Sequence, residues 1–119
     1  MLKSVVLISR KPGTTRAQFK AHYESSHVPL VKEVFAGLIV EYRRNFVDLD
    51  GAILGDAAPA PDFDAVTEIW YKDRAAYDRM LDLHFNTEVG RRIAEDEAKF
   101  LDPSKTRFFL VEETGGPVA

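Results

Sequence analysis

Ala65-Val66-Thr67-Glu68-Ile69-Trp70-Tyr71 is the stretch on which the fold turns. Its β-branched and aromatic residues read as a strand. Side chains alternate along a strand, so Val66, Glu68 and Trp70 share one face while Ala65, Thr67, Ile69 and Tyr71 share the other. Large apolar groups stand on both faces, and neither face suits open solvent. Helices can cover one side of such a sheet, and the other side needs cover of its own.

Outward from this strand, a helix is predicted from about Asp73, with Tyr77, Met80 and Leu81 on one face, and a second helical piece from Glu88 to Leu101. Thr106 to Glu112 reads as the closing strand. On the other side, Gly37 breaks the pattern ahead of a strand from Leu38 to Val47. The first strand, Leu2 to Ser9, ends at the turn Arg10-Lys11-Pro12-Gly13. Thr15 with Gln18 resembles a capping box, and Phe19, Tyr23 and Leu30 recur at helical spacing with Ser26 on the same side. That helix is expected to run to about Ser26, and Pro29 to open a further helical turn to about Phe35.

The order is βαββαβ, an α+β ferredoxin-like sandwich with a four-stranded antiparallel sheet. Its uncovered apolar face predicts a homodimer. Residues 1–113 read as a single domain. Residues 48–63, rich in Gly, Pro and Ala, form a variable loop, either a lid or a plain surface loop. The tail 114–119 is expected to fray.

The chain has 119 residues, 45% of them apolar, and a formal charge of -3 from 16 basic and 19 acidic residues. The basic residues are scattered, which argues against a nucleic-acid partner. There is no cysteine, so disulfides, thiolate catalysis and cysteine-bound metals are excluded. No apolar run approaches membrane-spanning length, no signal-peptide layout opens the chain, and a cytoplasmic location is the expectation.

Chemistry centres on Tyr23-Glu24-Ser25-Ser26-His27-Val28-Pro29-Leu30. Proline pushes the residue before it out of the helical region, which predicts an extended Val28 and a His27 at a helix's C-terminal end, aimed into a cleft. Such a histidine can exchange protons near neutral pH, or can merely hydrogen-bond at the helix end. Farther on, Val89, Ile93 and Phe100 form an apolar stripe, and Asp96 falls close to its centre. A carboxylate there needs a partner, and His27 is of the right type. Glu68 either lines a cavity or pairs with Arg43 or Arg44. Tyr42 offers a hydroxyl to a developing enolate if it faces the helices, and otherwise is packing. His22 and His84 read as surface or loop residues. No nucleotide-binding loop, metal motif or nucleophile elbow appears. The chemistry in reach is proton transfer and oxyanion stabilisation without a cofactor, in an apolar pocket walled by Tyr23, Trp70 and Phe100.

Four pieces in order resemble the EthD-like family: Leu2 to Gly13 with Phe19, His27-Val28-Pro29-Leu30, Asp64 to Tyr71, and Asp96 to Asp102 with Phe108 to Glu113. The resemblance spans about Leu2 to Glu113. It implies a dimeric α/β barrel of ferredoxin-like subunits, each with a cleft between sheet and helices. It also implies that His27, the histidine of the family's His-x-Pro, acts as acid or base in catalytic members. Those members are linked to ether-degradation clusters, cofactor-free lactone isomerisation, and dehydration or cyclisation in polyketide pathways. Isomerases that use a strand cysteine have no counterpart here, and Glu68 is the polar group that could substitute. The leading expectation is a cofactor-independent lyase or isomerase acting on a small cyclic or aromatic carbonyl compound. His27 would be base and acid, Asp96 its orienter, and Tyr42 or Glu68 a second polar group. The alternatives are a dimeric small-molecule-binding or accessory protein of an oxygenase system, and a haem-binding or cofactor-free monooxygenase with His84 or His27 as axial ligand.

Overall fold

A computed structural model describes residues 2–118. In chain order the elements are β1 (Leu2–Ile8), α1 (Arg16–His22), a π turn (Tyr23–His27), α2 (Val28–Val34), β2 (Ile39–Phe46), β3 (Ala65–Tyr71), α3 (Arg74–Asn86), α4 (Glu88–Phe100), a 3-10 turn (Pro103–Lys105) and β4 (Arg107–Val111). The strands form one antiparallel sheet in the order β2-β3-β1-β4. This is the expected ferredoxin-like topology.

Local chemistry sets the element ends. The Thr15 hydroxyl accepts from the Gln18 amide while the Gln18 side chain accepts from the Thr15 amide, closing a capping box at α1. Asp73 caps α3 through the Ala76 amide. Thr87 ends α3 and begins α4, its hydroxyl accepting from Gly90. The two helices pass so close there that a Cβ on Gly90 would overlap the carbonyls of Leu83 and His84. Gly37, at φ 80°, supplies the left-handed residue that ends the α2 segment.

The first helical region departs from its sequence reading. Val28 is helical (φ -60°, ψ -48°) rather than extended, so His27 does not end a helix. The chain takes one wide turn instead, in which the Val28 amide donates to the Tyr23 carbonyl five residues back. Pro29 then lies in the first turn of α2, where a missing N–H costs nothing. The proline is absorbed by the wide turn, and the expected helix C-terminus at His27 is absent.

Helices cover the sheet face that carries Ser4, Val6 and Ile8 of β1 and Ala65, Thr67 and Tyr71 of β3, all buried. Phe19, Tyr23, Val28, Phe100 and Leu101 pack on one half of that face, and Val31, Phe35, Tyr77, Met80 and Ile93 on the other. On α4, Ile93, Asp96 and Phe100 are buried as the stripe predicts, but Val89 is exposed.

The opposite face is uncovered in the single chain. Register places Lys3 between Trp70 and Val111, Val5 between Glu68 and Phe109, and Leu7 between Val66 and Arg107. Lys3 is the centre of a charged cluster here, 3.2 Å from Glu68 and 2.7 Å from Glu113. Trp70 joins it by donating from its indole to Glu113.

Candidate active site

Asp96 of α4 is the hub of the helix-facing side. His27 Nδ1 lies 2.9 Å from its Oδ2, while His22 Nε2 (3.0 Å) and Ser26 Oγ (2.9 Å) both meet its Oδ1. An ionised carboxylate can only accept, so each ring nitrogen facing it carries the proton. These hydrogen bonds hold the Asp96 carboxyl below its ordinary range despite burial, which opposes them. With its Nδ1 proton committed to Asp96, neutral His27 keeps Nε2 as a free base. Burial pushes His27 below the usual histidine range even though Asp96 pulls the other way. The ring is therefore neutral at pH 7, a base rather than an imidazolium.

The wide turn makes this convergence possible. On a regular helix, residues five apart sit about 140° apart at roughly 100° per residue. His22 and His27 would then face different directions, and the residue inserted by the π turn brings both to one carboxylate. Aromatic rings fix the arrangement: His27 lies 4.9 Å from Phe100 and edge-on to Tyr23 at 5.6 Å, and His22 stacks on Phe100 at 4.9 Å.

Tyr42 faces the helices, and its hydroxyl donates to that of Tyr23 at 3.3 Å. The Tyr23 hydroxyl also meets Thr67 Oγ1 at 2.6 Å. Burial pushes the Tyr23 hydroxyl up to about 12 and raises that of Tyr42 well above its ordinary value, so both stay protonated donors. Arg44 covers the Tyr42 ring and grips Glu24 with two hydrogen bonds.

The sequence-proposed residues thus divide into two groups. His27, Asp96, Tyr42, Tyr23 and Phe100 come together on the helix side of the sheet. Glu68 and Trp70 lie on the opposite face, where Glu68 pairs with Lys3 and accepts from Asn45, not from Arg43 or Arg44. Period two separates them from Thr67 and so from the His27 cluster. His22 and Ser26 were not proposed as partners of Asp96; the signal for Ser26 was its place on the helix's apolar side. Next to Asp96 on α4, Glu97 carries a carboxyl that burial and the neighbouring Asp96 charge push up to about 7. Its Oε1 is 4.0 Å from His84 Nε2. Among the described residues no cluster of acids and histidines has the geometry of a metal site.

A cavity of about 560 Å3 opens at the start of α1, between the β1–α1 turn and the 48–63 loop, with Arg10, Thr14, Leu49, Phe63 and Lys105 among its walls. A smaller one of about 160 Å3 lies beside Phe19 and Phe46. Neither is lined by His27, which is only 5% exposed. His22 is the partly exposed partner of Asp96, while the Asp96 carboxyl itself is nearly buried.

A family model described as the EthD domain matches residues 11–104. The chain belongs to the EthD domain family. Solved structures show the fold of this EthD domain at low identity. An ethyl tert-butyl ether (EthD) family protein from Bacillus halodurans is 20% identical, with 96% of this chain and 100% of that one covered and a TM-score of 0.63. A protein from Arabidopsis thaliana is 13% identical over 99% of this chain and 100% of its own, at 0.65. A third, titled an antibiotic biosynthesis monooxygenase, is 22% identical over 97% of this chain and 100% of its own, at 0.53. No curated protein matches the chain.

Proposed function

We propose that this EthD domain is a cofactor-independent proton-transfer enzyme, a lyase or isomerase acting on a small cyclic or aromatic carbonyl compound. The observation that carries the reading is the 2.9 Å contact between His27 Nδ1 and Asp96, which fixes the ring's tautomer and leaves Nε2 as the base. His27 removes a proton beside the carbonyl, and a tyrosine hydroxyl of the Tyr42–Tyr23 pair stabilises charge on the oxygen. His27→Ala should abolish turnover while the protein stays folded; unchanged turnover of a compound the wild type transforms removes His27 from the mechanism.

The uncovered apolar sheet face supports a homodimer, in which each copy covers Val5, Trp70 and Phe109 of the other. A second functional reading, a non-catalytic binding protein, is favoured by the position of the 560 Å3 cavity away from His27. Native mass spectrometry separates the two: a compound released unchanged supports binding, and one released chemically altered supports catalysis.

A further inference from the structure

The cavity of about 560 Å3 takes no part in the chemistry proposed for His27, yet it has the size of a small-molecule site. Three segments meet around it: the β1–α1 turn, the residues leading into β3, and the turn before β4. Its basic walls are Arg10, Lys11, Arg16 and Lys105.

The acids beside them already have partners. Asp64, only 10% exposed, accepts from the Arg10 amide and from Arg10 Nη1, both at 2.8 Å, and lies 3.3 Å from Arg16 Nε. Asp62 accepts from Arg107, also at 2.8 Å, and Asp102 from the amide and hydroxyl of Ser104. One buried carboxylate therefore fixes two guanidinium groups. Arg10 Nε donates in addition to the Thr14 carbonyl and Arg16 Nη1 to the Val47 carbonyl, which leaves Nη2 of each arginine without an acceptor among the described residues. Lys11 and Lys105 are exposed and form no ion pair among the described residues, although the charge of Lys105 is felt at Asp62. With Arg107 included, five cations stand around three carboxylates, an excess of positive charge in a chain whose formal charge is -3.

That excess attracts an anion. A guanidinium already held in place loses little freedom when an anion takes its remaining N–H groups, and its planar fork matches a carboxylate. The cavity also has an apolar side, Leu49 and the Phe63 ring, with the Arg107 guanidinium 5.7 Å from the ring's centre. Charge on one side and apolar surface on the other suit a ligand that carries both.

We propose that this cavity binds a small organic acid. The carboxylate is held by the free N–H groups of Arg10 and Arg16, with Lys11 and Lys105 at the rim, and an aromatic or alicyclic body lies against Leu49 and Phe63. The proposal rests on the binding reading of the cavity and is independent of His27, which does not line it.

The test is an amide NMR titration of the full chain with three probes. Naphthalene-2-carboxylate carries both features, naphthalene-2-carboxamide has the same body and no charge, and inorganic phosphate has charge and no body. The carboxylate should give saturable shifts at the Lys11, Thr14, Asp64 and Lys105 amides, with a Kd under ~1 mM at low salt. The carboxamide and phosphate should each bind about tenfold more weakly or worse. Replacing the two exposed lysines together, Lys11→Ala with Lys105→Ala, should raise the Kd of the carboxylate roughly tenfold and leave that of the carboxamide unchanged. The proposal is overturned if the carboxylate gives no saturable shift at those amides, or if the carboxamide or phosphate binds as tightly. It is also overturned if the double variant binds the carboxylate like the wild type, or if the shifts fall instead on Val5 and Phe109 of the uncovered sheet face. Failure here is distinct from failure of the binding reading: a compound still recovered unchanged by native mass spectrometry would keep that reading and strike this site alone.

Discussion

Replacing Glu97 with Gln should remove a pH dependence of stability that this one carboxyl creates. In the folded chain Glu97 is pushed up from 4.5 to about 7, whereas in the unfolded chain it is an ordinary glutamate. The folded state therefore binds more protons between those values, and stability must fall as pH rises through that window and level off above it. At about 1.4 kcal/mol per unit, the full shift corresponds to roughly 3 kcal/mol, of which about 2.5 kcal/mol is lost between pH 5 and pH 8. The partial exposure of the side chain makes this an upper figure. Gln has the same shape and no charge, so E97Q should gain on the wild type by up to that amount over the interval. Urea unfolding of both proteins at a series of pH values gives the difference, and every other titrating group, buried His27 included, cancels in it. Parallel stability curves across pH 5 to 8 would refute the argument that Glu97 is held neutral.

Gly90→Ala should lower thermal stability severely, by about 3 kcal/mol or more, because the new methyl meets backbone carbonyls that cannot move without parting α3 from α4; a melting curve like that of the wild type would contradict it. Asp96→Ala should cost about 3 kcal/mol in urea unfolding, since it strands the buried donor of His27 and leaves His22 and Ser26 without their acceptor. The carboxyl is held low, so its stabilising share is present above the unfolded carboxylate range and lost on acidification: wild type and Asp96→Ala should converge toward low pH. Phe109→Glu, on the uncovered sheet face, should yield a folded monomer by sedimentation, and the wild type should sediment as the proposed dimer.

Much of the fold could be read from local pattern. β3 runs from Ala65 to Tyr71, the same span its composition indicates, the capping box at Thr15 stands where its spacing to Gln18 puts it, and α3 begins next to Asp73. Asp96 was visible as an acid on an apolar stripe, because burial forces such a group to find partners. The wide turn was not visible. A proline after Val28 argues locally for a break, and only the packing of Tyr23, Val28 and Phe100 against the sheet keeps the helix going and adds the extra residue. His22 was lost with it, since its tie to Asp96 depends on that turn. Glu68 and Trp70 illustrate a different limit: alternation told which residues share their face, but not which face the helices cover. Glu97 carries no sequence signal of its own, because its raised carboxyl comes from α3 and Asp96 lying beside it.

Asp96 holds His27 as a neutral base with its proton on Nδ1. Nitrogen-15 NMR of ring-labelled histidine reads this directly, with H27A assigning the signal. At pH 7 His27 should show a protonated Nδ1 and a bare Nε2, and Asp96→Asn should lose that fixed tautomer. An imidazolium at pH 7, or a neutral ring with its proton on Nε2, would contradict it.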